Sequence, residues 1–361
     1  MIRSLTFILL FILSCPFSIA QNPIPLDTIH WNINARAYVL EQYQGKDAIY
    51  MQGGVITLKD ETFLNGTIEF DVFLKQEQAF PGVTFRISED SNAELFYLRA
   101  HLPGKPDATQ TAGRTKGVTP WQLYFGPKYS FPYQFHYDDW THVKVVVTND
   151  KAQVFMDYSE EPQLSWYLFH EAKEGQVAFS GGRFTGMHLA NITINRKLPQ
   201  LVNFKPVQRE PIDGLIQEWE ISDVFEEKLL DNTENIKSVI RARKWGKKIQ
   251  VEEGTAANIS RQVSLRDTPA ANTVFARVEI TSEKDQLKLF EFGYSDRVVA
   301  ILNGKPMYKG INTWRSRDYR YLGTVGLFDA IYLPLKKGKN TLLLAVSEDF
   351  GGWLVTGRLK D

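Results

Sequence analysis

Apolar and polar residues alternate with a period of two along much of the chain. In residues 68–72 (IEFDV) the three apolar side chains share one face, while Glu69 and Asp71 share the other. Successive side chains of a strand point to opposite sides of a sheet, so this period indicates a strand with one buried face. Only residues 226–244 are compatible with a helix, and Asn232 and Thr233 weaken that pattern. The alternation predicts an all-β protein.

Two more alternating runs follow the first one closely. Residues 83–88 place Arg86 on the polar face, and residues 96–101 place Tyr97, Arg99 and His101 there. If the three strands pair in chain order, their polar faces form one surface. We call this predicted surface the platform, and its members are Glu69, Asp71, Arg86, Tyr97, Arg99 and His101. The platform is the leading candidate for a functional site.

The chain begins with a segment typical of a secretory signal peptide. Residues 1–20 contain an early arginine, an apolar core and a small-x-small cleavage site. We therefore expect a secreted or periplasmic protein. A lipoprotein anchored through Cys15 is the less favoured alternative, because Leu13 and Pro16 suit lipidation poorly. Cys15 is the only cysteine, so the mature chain has no disulfides and must rely on large hydrophobic cores.

The charge balance gives no sign of a polyanionic partner. Lysine plus arginine and aspartate plus glutamate number 42 each. Because the chain has no net charge, no long-range electrostatic field attracts nucleic acid or anionic membrane surfaces, and we do not expect them as partners. No run after the signal peptide reaches membrane-spanning length. We expect a partner that is neutral or is recognised by local contacts.

The order of patterns along the chain predicts two β-sandwich (jelly-roll) domains in tandem. Short strands and turns fill residues 22–197, apart from a stretch without periodicity at 102–119. Residues 198–213 are rich in proline and predict a linker. The second domain spans 214–361, where alternation returns from residue 273.

Particular segments resemble two families. The segments FPGVTFRI, FYLRAHLPGKPDATQ and DDWTHVKVVVTNDKAQVFMDY resemble concanavalin A-like or laminin G-like sandwiches. The segments FEFGYSDRVVAILNGKPMYKG and LKKGKNTLLLAVSEDFGGW are similar to galactose-binding-domain-like jelly rolls. Both resemblances imply carbohydrate recognition or adhesion, and neither implies one substrate. Calcium is compatible with such sandwiches, but no D-x-D-x-D-G loop is present, so no cofactor is predicted.

Glu69 and Asp71 are candidate catalytic carboxylates. Their spacing resembles part of the E-x-D-x-x-E motif of laminarinase-type hydrolases, but Leu74 stands where the third carboxylate would fall. A retaining glycosidase needs two carboxyl groups about 5 to 5.5 Å apart, one of them with a raised pKa. Arg86 and Arg99 on neighbouring strands would instead keep both ionised. The residues therefore favour an ion-pair cluster over a catalytic pair.

His101 is a third catalytic candidate, as a base. It has no partner at metal-ligand spacing, because the sequence contains neither H-x-H nor H-x-x-x-H, and no metal site is predicted. Nor do the patterns typical of serine hydrolases, zinc proteases, P-loop proteins or dinucleotide-binding proteins occur.

The candidate ligand-binding residues combine arginines with aromatic rings. Arginine donates in a fork that suits carboxylates, sulfates and diols, and rings in loops can stack on sugars. Salt bridges on an exposed sheet face are the competing interpretation. Residues 311–323 and 350–353 suit either an acidic sugar or, as we favour, a contact with the first domain. The candidates are Arg86, Tyr97, Arg99, His101, Trp121, Gln122, Tyr124, Tyr133, Trp314 and Arg317.

These patterns predict a secreted protein that binds a polysaccharide or glycan on the polar face of the first sandwich. The alternative is a glycoside hydrolase or polysaccharide lyase that acts at the same face. A second alternative is a cell-surface module that recognises another protein.

Overall fold

The computed structural model describes residues 22–182, 185–265, 271–313, 318 and 320–360. The predicted signal peptide lies outside these residues. Over the described residues the fold is all-β, as predicted. Within the described residues, no helix has the length and apolar character needed to cross a membrane. The first sheet contains β1 (Trp31–Tyr43), β2 (Lys46–Leu58), β3 (Gly66–Leu74), β4 (Gly82–Ile87), β5 (Ala93–Leu98), β6 (Thr109–Arg114), β7 (Asp139–Thr148), β8 (Lys151–Met156), β9 (Leu164–Tyr167), β10 (Gln176–Ser180) and β11 (Met187–Asn195).

The first sheet folds into a two-layer sandwich. Its strands follow the order β6-β5-β4-β10-β2-β11-β3-β7-β8-β9, with β1 beside β2. Strand β2 serves both layers, because one part of it pairs with β10 and another with β11. The layers face each other: the rings of Phe96 on β5 and Trp166 on β9 are 6.5 Å apart, and those of Phe70 on β3 and Phe179 on β10 are 5.2 Å apart.

The alternation in the sequence sorts the side chains of each layer. Ile68, Phe70 and Val72 are fully buried in the core between the layers, as are Phe96 and Leu98. Each such side chain stabilises the fold by about 1.5 to 3 kcal/mol through burial. The polar residues between them consequently point away from the core.

The predicted platform is wrong because the three strands do not pair in chain order. Strand β3 pairs with β7 and β11, whereas β4 and β5 pair with each other in the other layer. Glu69 and Asp71 therefore lie on the outer face of one layer, and Tyr97 and Arg99 on the outer face of the other. A period of two fixes the face of each side chain, but it carries no information about which strands are neighbours.

Two local predictions also need correction. The stretch 102–119 contains β6, which pairs with β5 from 109 to 114. The helix-compatible stretch contains two 3-10 turns, Glu227–Leu230 and Thr233–Asn235, before the short helix α1 (Ile236–Arg241). Asp231 ends the first turn, and Asn232 starts the second, because its side chain accepts a hydrogen bond from the backbone N–H of Glu234 at 3.0 Å.

A second β-sandwich follows the first. Its sheet has the order β18-β17-β20-β15-β12-β13-β14-β21-β16-β19. Its core includes the buried rings of Trp219, Phe290, Phe292 and Trp353. The strands are β12 (Glu218–Ile221), β13 (Lys247–Glu252), β14 (Ala256–Asn258), β15 (Thr273–Ser282), β16 (Gln286–Ser295), β17 (Arg297–Leu302), β18 (Lys305–Ile311), β19 (Asp329–Leu335), β20 (Gly338–Ser347) and β21 (Leu354–Lys360), and a 3-10 turn, Ile259–Arg261, follows β14.

The two domains share a buried contact. Arg209, between the two sheets, donates to the carbonyl oxygens of Leu123 (3.0 Å) and Phe125 (2.7 Å) and to the hydroxyl of Thr255 (2.6 Å). An apolar cluster fills the contact beside it, with Ala112, Leu123, Tyr124 and Tyr129 from the first domain and Ala256, Val325 and Leu354 from the second. This contact brings loops of the second domain over the outer face of β4, β5 and β6.

Candidate functional site

A cleft of about 590 Å³ lies between the outer face of β4, β5 and β6 and the second domain. Its floor is formed by the side chains that alternate away from the first core, including Thr84 and Tyr97. The second domain contributes Leu322 and Phe350. The remaining lining includes Gln78, Phe80, Arg99, Arg114, Thr119, Trp121 and Ser180. Three of the predicted ligand-binding residues, Tyr97, Arg99 and Trp121, therefore meet at one site.

A hydrogen-bonded network fixes the floor of the cleft. Arg99 is only 1% exposed, and its NH1 atom lies 2.6 Å from Oδ1 of Asp107. Its NH2 atom donates to Oε1 of Gln110 at 2.5 Å and to the Tyr97 hydroxyl at 3.2 Å. The Tyr97 hydroxyl in turn donates to Gln110, whose amide donates to the carbonyl oxygen of Trp121 at 3.1 Å. The fork of Arg99 is thus used inside the protein, and its role is to hold Tyr97.

Burial shifts the pKa values of the groups at the floor. The pKa of Asp107 is raised to about 6, because desolvation outweighs the opposing effects of Arg99 and of the Leu322 N–H. Burial likewise raises the pKa of Tyr97 to about 12. The pKa of His101 is lowered by burial and by the charge of Arg99. At neutral pH the floor therefore presents a neutral tyrosine above a charge-balanced Arg99–Asp107 pair.

The walls of the cleft are aromatic and come from both domains. The rings of Trp121 and Phe350 lie 5.2 Å apart at an angle of 55°. On the first-domain side, the ring of Phe80 lies 6.3 Å from that of Tyr97 and 5.4 Å from that of His101. The cleft thus combines ring faces with a polar floor.

Gln122 and Tyr124 lie in a turn buried in the domain contact, not in the cleft. Gln122 accepts from the backbone N–H of Gly352 at 3.0 Å and donates to the hydroxyl of Ser295 at 3.3 Å. The ring of Tyr124 packs 4.3 Å from that of Phe169. Both side chains are at most 2% exposed, so their contacts are with protein.

Arg86 also lies outside the cleft lining. It occupies a β-bulge in β4, with a positive φ of 52° and an extra residue opposite β10. Its NH2 atom donates to the carbonyl oxygens of Leu64 (2.6 Å) and Asn149 (2.7 Å). The bulge turns this side chain into the loops, which the alternating pattern alone could not reveal.

The other predicted site residues are dispersed. Tyr133 is half-buried and donates through its hydroxyl to Asp157, outside the cleft lining. Trp314 and Arg317 lie outside the described residues. Sequence reasoning missed Phe80, and it included Leu322 only within the segment 311–323. No side-chain pattern singles out Leu322, because its hydrogen bonds to Asp107 and Trp121 use backbone groups.

The predicted catalytic residues do not form one site. Glu69 and Asp71 flank His142 on the outer face of the opposite layer, with 3.2 Å from Nε2 to Glu69 and 2.6 Å from Nδ1 to Asp71. His101 instead packs beside Phe80, on the layer that carries the cleft. Sequence reasoning overlooked His142, although it stands in an alternating run.

Both carboxylates are held ionised by hydrogen bonds. The hydrogen bond with His142 lowers the pKa of Glu69. Burial alone would raise the pKa of Asp71, but hydrogen bonds with His142, Lys46 and Asn191 outweigh burial and lower it. A glycosidase acid needs a raised pKa, so the pair lacks that property. Glu69 and Asp71 are therefore ionised, as expected, but the cause is His142 and Lys46 rather than Arg86 and Arg99.

No group of three histidine, cysteine, aspartate or glutamate side chains suited to a metal ion occurs across the described residues.

Comparison with known proteins gives similarities in fold. No family model matches the sequence, and no curated protein matches it. Among solved structures, a carbohydrate binding module from Bacillus subtilis aligns over 46% of this chain and 95% of its own, with 14% identity and a TM-score of 0.36. A Bacillus subtilis protein with a galectin-like fold covers 45% of this chain and 88% of its own, with 8% identity and a TM-score of 0.32. A glycosyl hydrolase family protein from Mycobacterium fortuitum covers 46% of this chain and 92% of its own, with 13% identity and a TM-score of 0.30.

Proposed function

We propose that this protein binds a carbohydrate in the cleft between its two domains. The observation that carries the proposal is the combination of ring faces at the walls with a hydrogen-bonding floor. A sugar ring has apolar C–H faces and a rim of hydroxyls, so it suits a site with aromatic side chains and a few fixed polar groups. Trp121 and Phe350 would stack on the faces, and Tyr97 would meet the hydroxyls.

The charges at the floor favour a neutral glycan. Arg99 is paired with Asp107, and its NH1 and NH2 groups already have protein partners. A ligand carboxylate or sulfate would have to displace these partners from a buried position, which is costly. The acidic glycan that the arginines suggested in the sequence is therefore the less suitable ligand.

Binding fits the cleft better than hydrolysis. Asp107 has a raised pKa, as a general acid requires, but it is only 1% exposed. One of its oxygens faces Arg99 and the other accepts a hydrogen bond from Leu322. A general acid must come within hydrogen-bonding reach of the leaving oxygen. The carboxyl group of Asp107 is committed to protein partners instead.

The location proposed for this activity is outside the cytoplasm, on the basis of the predicted signal peptide at 1–20. Glycans accessible there include the polysaccharides of cell surfaces and of the surrounding medium. The proposed partner is thus a neutral polysaccharide or an oligosaccharide derived from one.

Affinity electrophoresis against neutral and acidic polysaccharides tests the proposal. We expect a neutral polysaccharide to retard the mature protein. Phe350→Ala and Tyr97→Phe should each weaken that retardation about threefold to tenfold, as expected for one lost ring contact or hydrogen bond. Tyr332→Ala, at an exposed ring outside the cleft lining, is the matched control. The proposal fails if no polysaccharide retards the protein, or if the cleft variants bind like the control.

A further inference from the structure

We infer that Asp107 is a positioning residue for the cleft, which holds the second-domain loop at Leu322 against the first domain and so sets the distance between the walls. The inference rests on the proposed function, because it concerns the same cleft. Asp107 does not line the cleft, so it acts through the groups it holds.

The backbone of Leu322 is held at both of its polar groups. Its N–H donates to Oδ2 of Asp107 at 2.7 Å. Its carbonyl oxygen accepts from Nε1 of Trp121 at 2.9 Å. Both Leu322 and Trp121 line the cleft. The two hydrogen bonds therefore fix a wall residue of the second domain to the first domain.

Asp107 connects this wall to the floor. Its Oδ1 atom lies 2.6 Å from NH1 of Arg99, which also holds the Tyr97 hydroxyl. The carboxylate is almost fully buried, so water cannot readily replace either partner. Loss of the carboxylate charge would thus disturb both the loop of the second domain and the orientation of Tyr97.

Charged groups from both domains surround the carboxylate of Asp107. Among the described residues, Arg99 faces it from the position directly after β5 and Asp318 from the loop of the second domain, and the charge of Asp107 also acts on Tyr97 and Tyr321. Burial raises the pKa of Asp107 to about 6. Protonation removes the charge that attracts Arg99 and the Leu322 N–H. At neutral pH the carboxylate is therefore mostly ionised and attracts both groups.

Hydrogen exchange of the full mature chain tests the inference without a ligand. At about pH 7.5, Asp107→Asn should speed exchange of the Leu322 amide by about tenfold, the effect of losing one charge-assisted hydrogen bond. Asp107→Glu keeps the carboxylate and should slow this exchange again, relative to Asp107→Asn. Equal exchange in the wild type and Asp107→Asn would overturn the inference.

A second variant covers the case in which Asp107→Asn does not fold. Trp121→Phe keeps an aromatic ring but removes the Nε1 donor, and it should also speed exchange at Leu322. Unchanged exchange in Trp121→Phe contradicts the inference on its own.

Affinity electrophoresis of the same variants separates this inference from the proposed function. The neutral polysaccharide that retards the wild type should retard Asp107→Asn about tenfold more weakly. If no polysaccharide retards the wild type, the proposed function fails, while the exchange at Leu322 still decides whether Asp107 holds the loop. If exchange responds but affinity does not, Asp107 is not a positioning residue for the cleft.

Discussion

The imidazole of His142 lies against the carboxylate of Asp71, with 2.6 Å between Nδ1 and Oδ1. The exposed ring of Tyr158 stacks on the ring of His142, with 4.0 Å between centroids and 8° between planes. His142 is only 7% exposed, so its charge depends on the two carboxylates beside it. Because the predicted catalytic pair is joined through a buried histidine, this cluster stabilises the fold.

The first prediction concerns the pH dependence that His142 gives to stability. Burial lowers its pKa, but hydrogen bonds with Asp71 and Glu69 outweigh burial and raise it to about 9. A base whose pKa is raised in the folded state stabilises below its unfolded pKa, and this stabilisation is lost as the pH rises through the folded pKa. The free energy of unfolding should fall by about 2 to 3 kcal/mol between about pH 6.5 and pH 9.

Urea unfolding followed by tryptophan fluorescence at several pH values measures this fall. His142→Gln should lack it, whereas His136→Gln, at an exposed histidine, should keep it. A similar fall in His142→Gln would mean that another group causes the pH dependence.

The second prediction concerns Glu348, a fully buried carboxyl group. Across the described residues, neither of its oxygens has a well-aligned hydrogen-bond partner, and burial and the nearby Asp296 outweigh Ser295 and raise its pKa well above the usual value. An acid with a raised folded pKa destabilises the protein increasingly as the pH rises above its unfolded pKa. Glu348→Gln should therefore stabilise the protein at neutral pH by about 1 to 3 kcal/mol.

The pH profile of this gain identifies its cause. The gain should shrink towards about pH 4.5, where the unfolded carboxyl group is half protonated as well. Glu283→Gln, at an exposed glutamate, should give no comparable gain. A loss of stability in Glu348→Gln at neutral pH would show that the carboxyl group has a stabilising partner.

The third prediction concerns Arg209 at the domain contact. Its guanidinium donates to two carbonyl oxygens of the first domain and one hydroxyl of the second, and it lies over the rings of Phe125 and Tyr129. Lysine cannot reproduce this fork, so Arg209→Lys should destabilise the protein by about 2 to 4 kcal/mol. Scanning calorimetry should show a lower Tm than for Arg241→Lys, an exposed position on α1. Equal Tm values for the two variants would contradict the prediction.

The fourth prediction concerns Gly82, which pairs with Tyr97 at the cleft floor. A Cβ atom at Gly82 would lie 2.3 Å from the carbonyl oxygen of Phe96 and 2.6 Å from Cα of Tyr97. Backbone must move to relieve such contacts, so Gly82→Ala should cost about 1 to 3 kcal/mol of stability. It should also weaken polysaccharide retardation, because Tyr97 shifts.

Thr84→Ala, on the same strand and half-buried, is the control for Gly82→Ala. Chemical unfolding should show a clearly smaller loss for Thr84→Ala. Equal stability of Gly82→Ala and the wild type would show that β5 can move away without cost.

The alternating pattern predicted the secondary structure of the strands and the inward or outward direction of most side chains. It placed Phe96 and Leu98 in the core and Tyr97 and Arg99 outside it, as the structure shows. It failed locally at Arg86, where a bulge adds one residue to β4. Alternation follows from the geometry of a single strand, so the sequence can report it without knowledge of the neighbouring strands.

The candidate site could be predicted only in part. Tyr97, Arg99 and Trp121 meet in the cleft, but Glu69 and Asp71 are on the opposite layer because β3 pairs with β7 and β11. Leu322 is held in the cleft wall through its backbone N–H and carbonyl groups, and a pattern of side chains does not indicate such contacts.

The sequence by itself determined that the chain forms β-strands with one buried face, since this depends on residues close together in the chain. The tertiary structure alone decided which strands are neighbours, that Arg99 is neutralised by Asp107, and that the second domain completes the cleft. These features depend on contacts between residues far apart in the chain, such as Asp107 and Leu322. Local periodicity contains no record of such contacts, because they arise only when the layers and the two domains pack together.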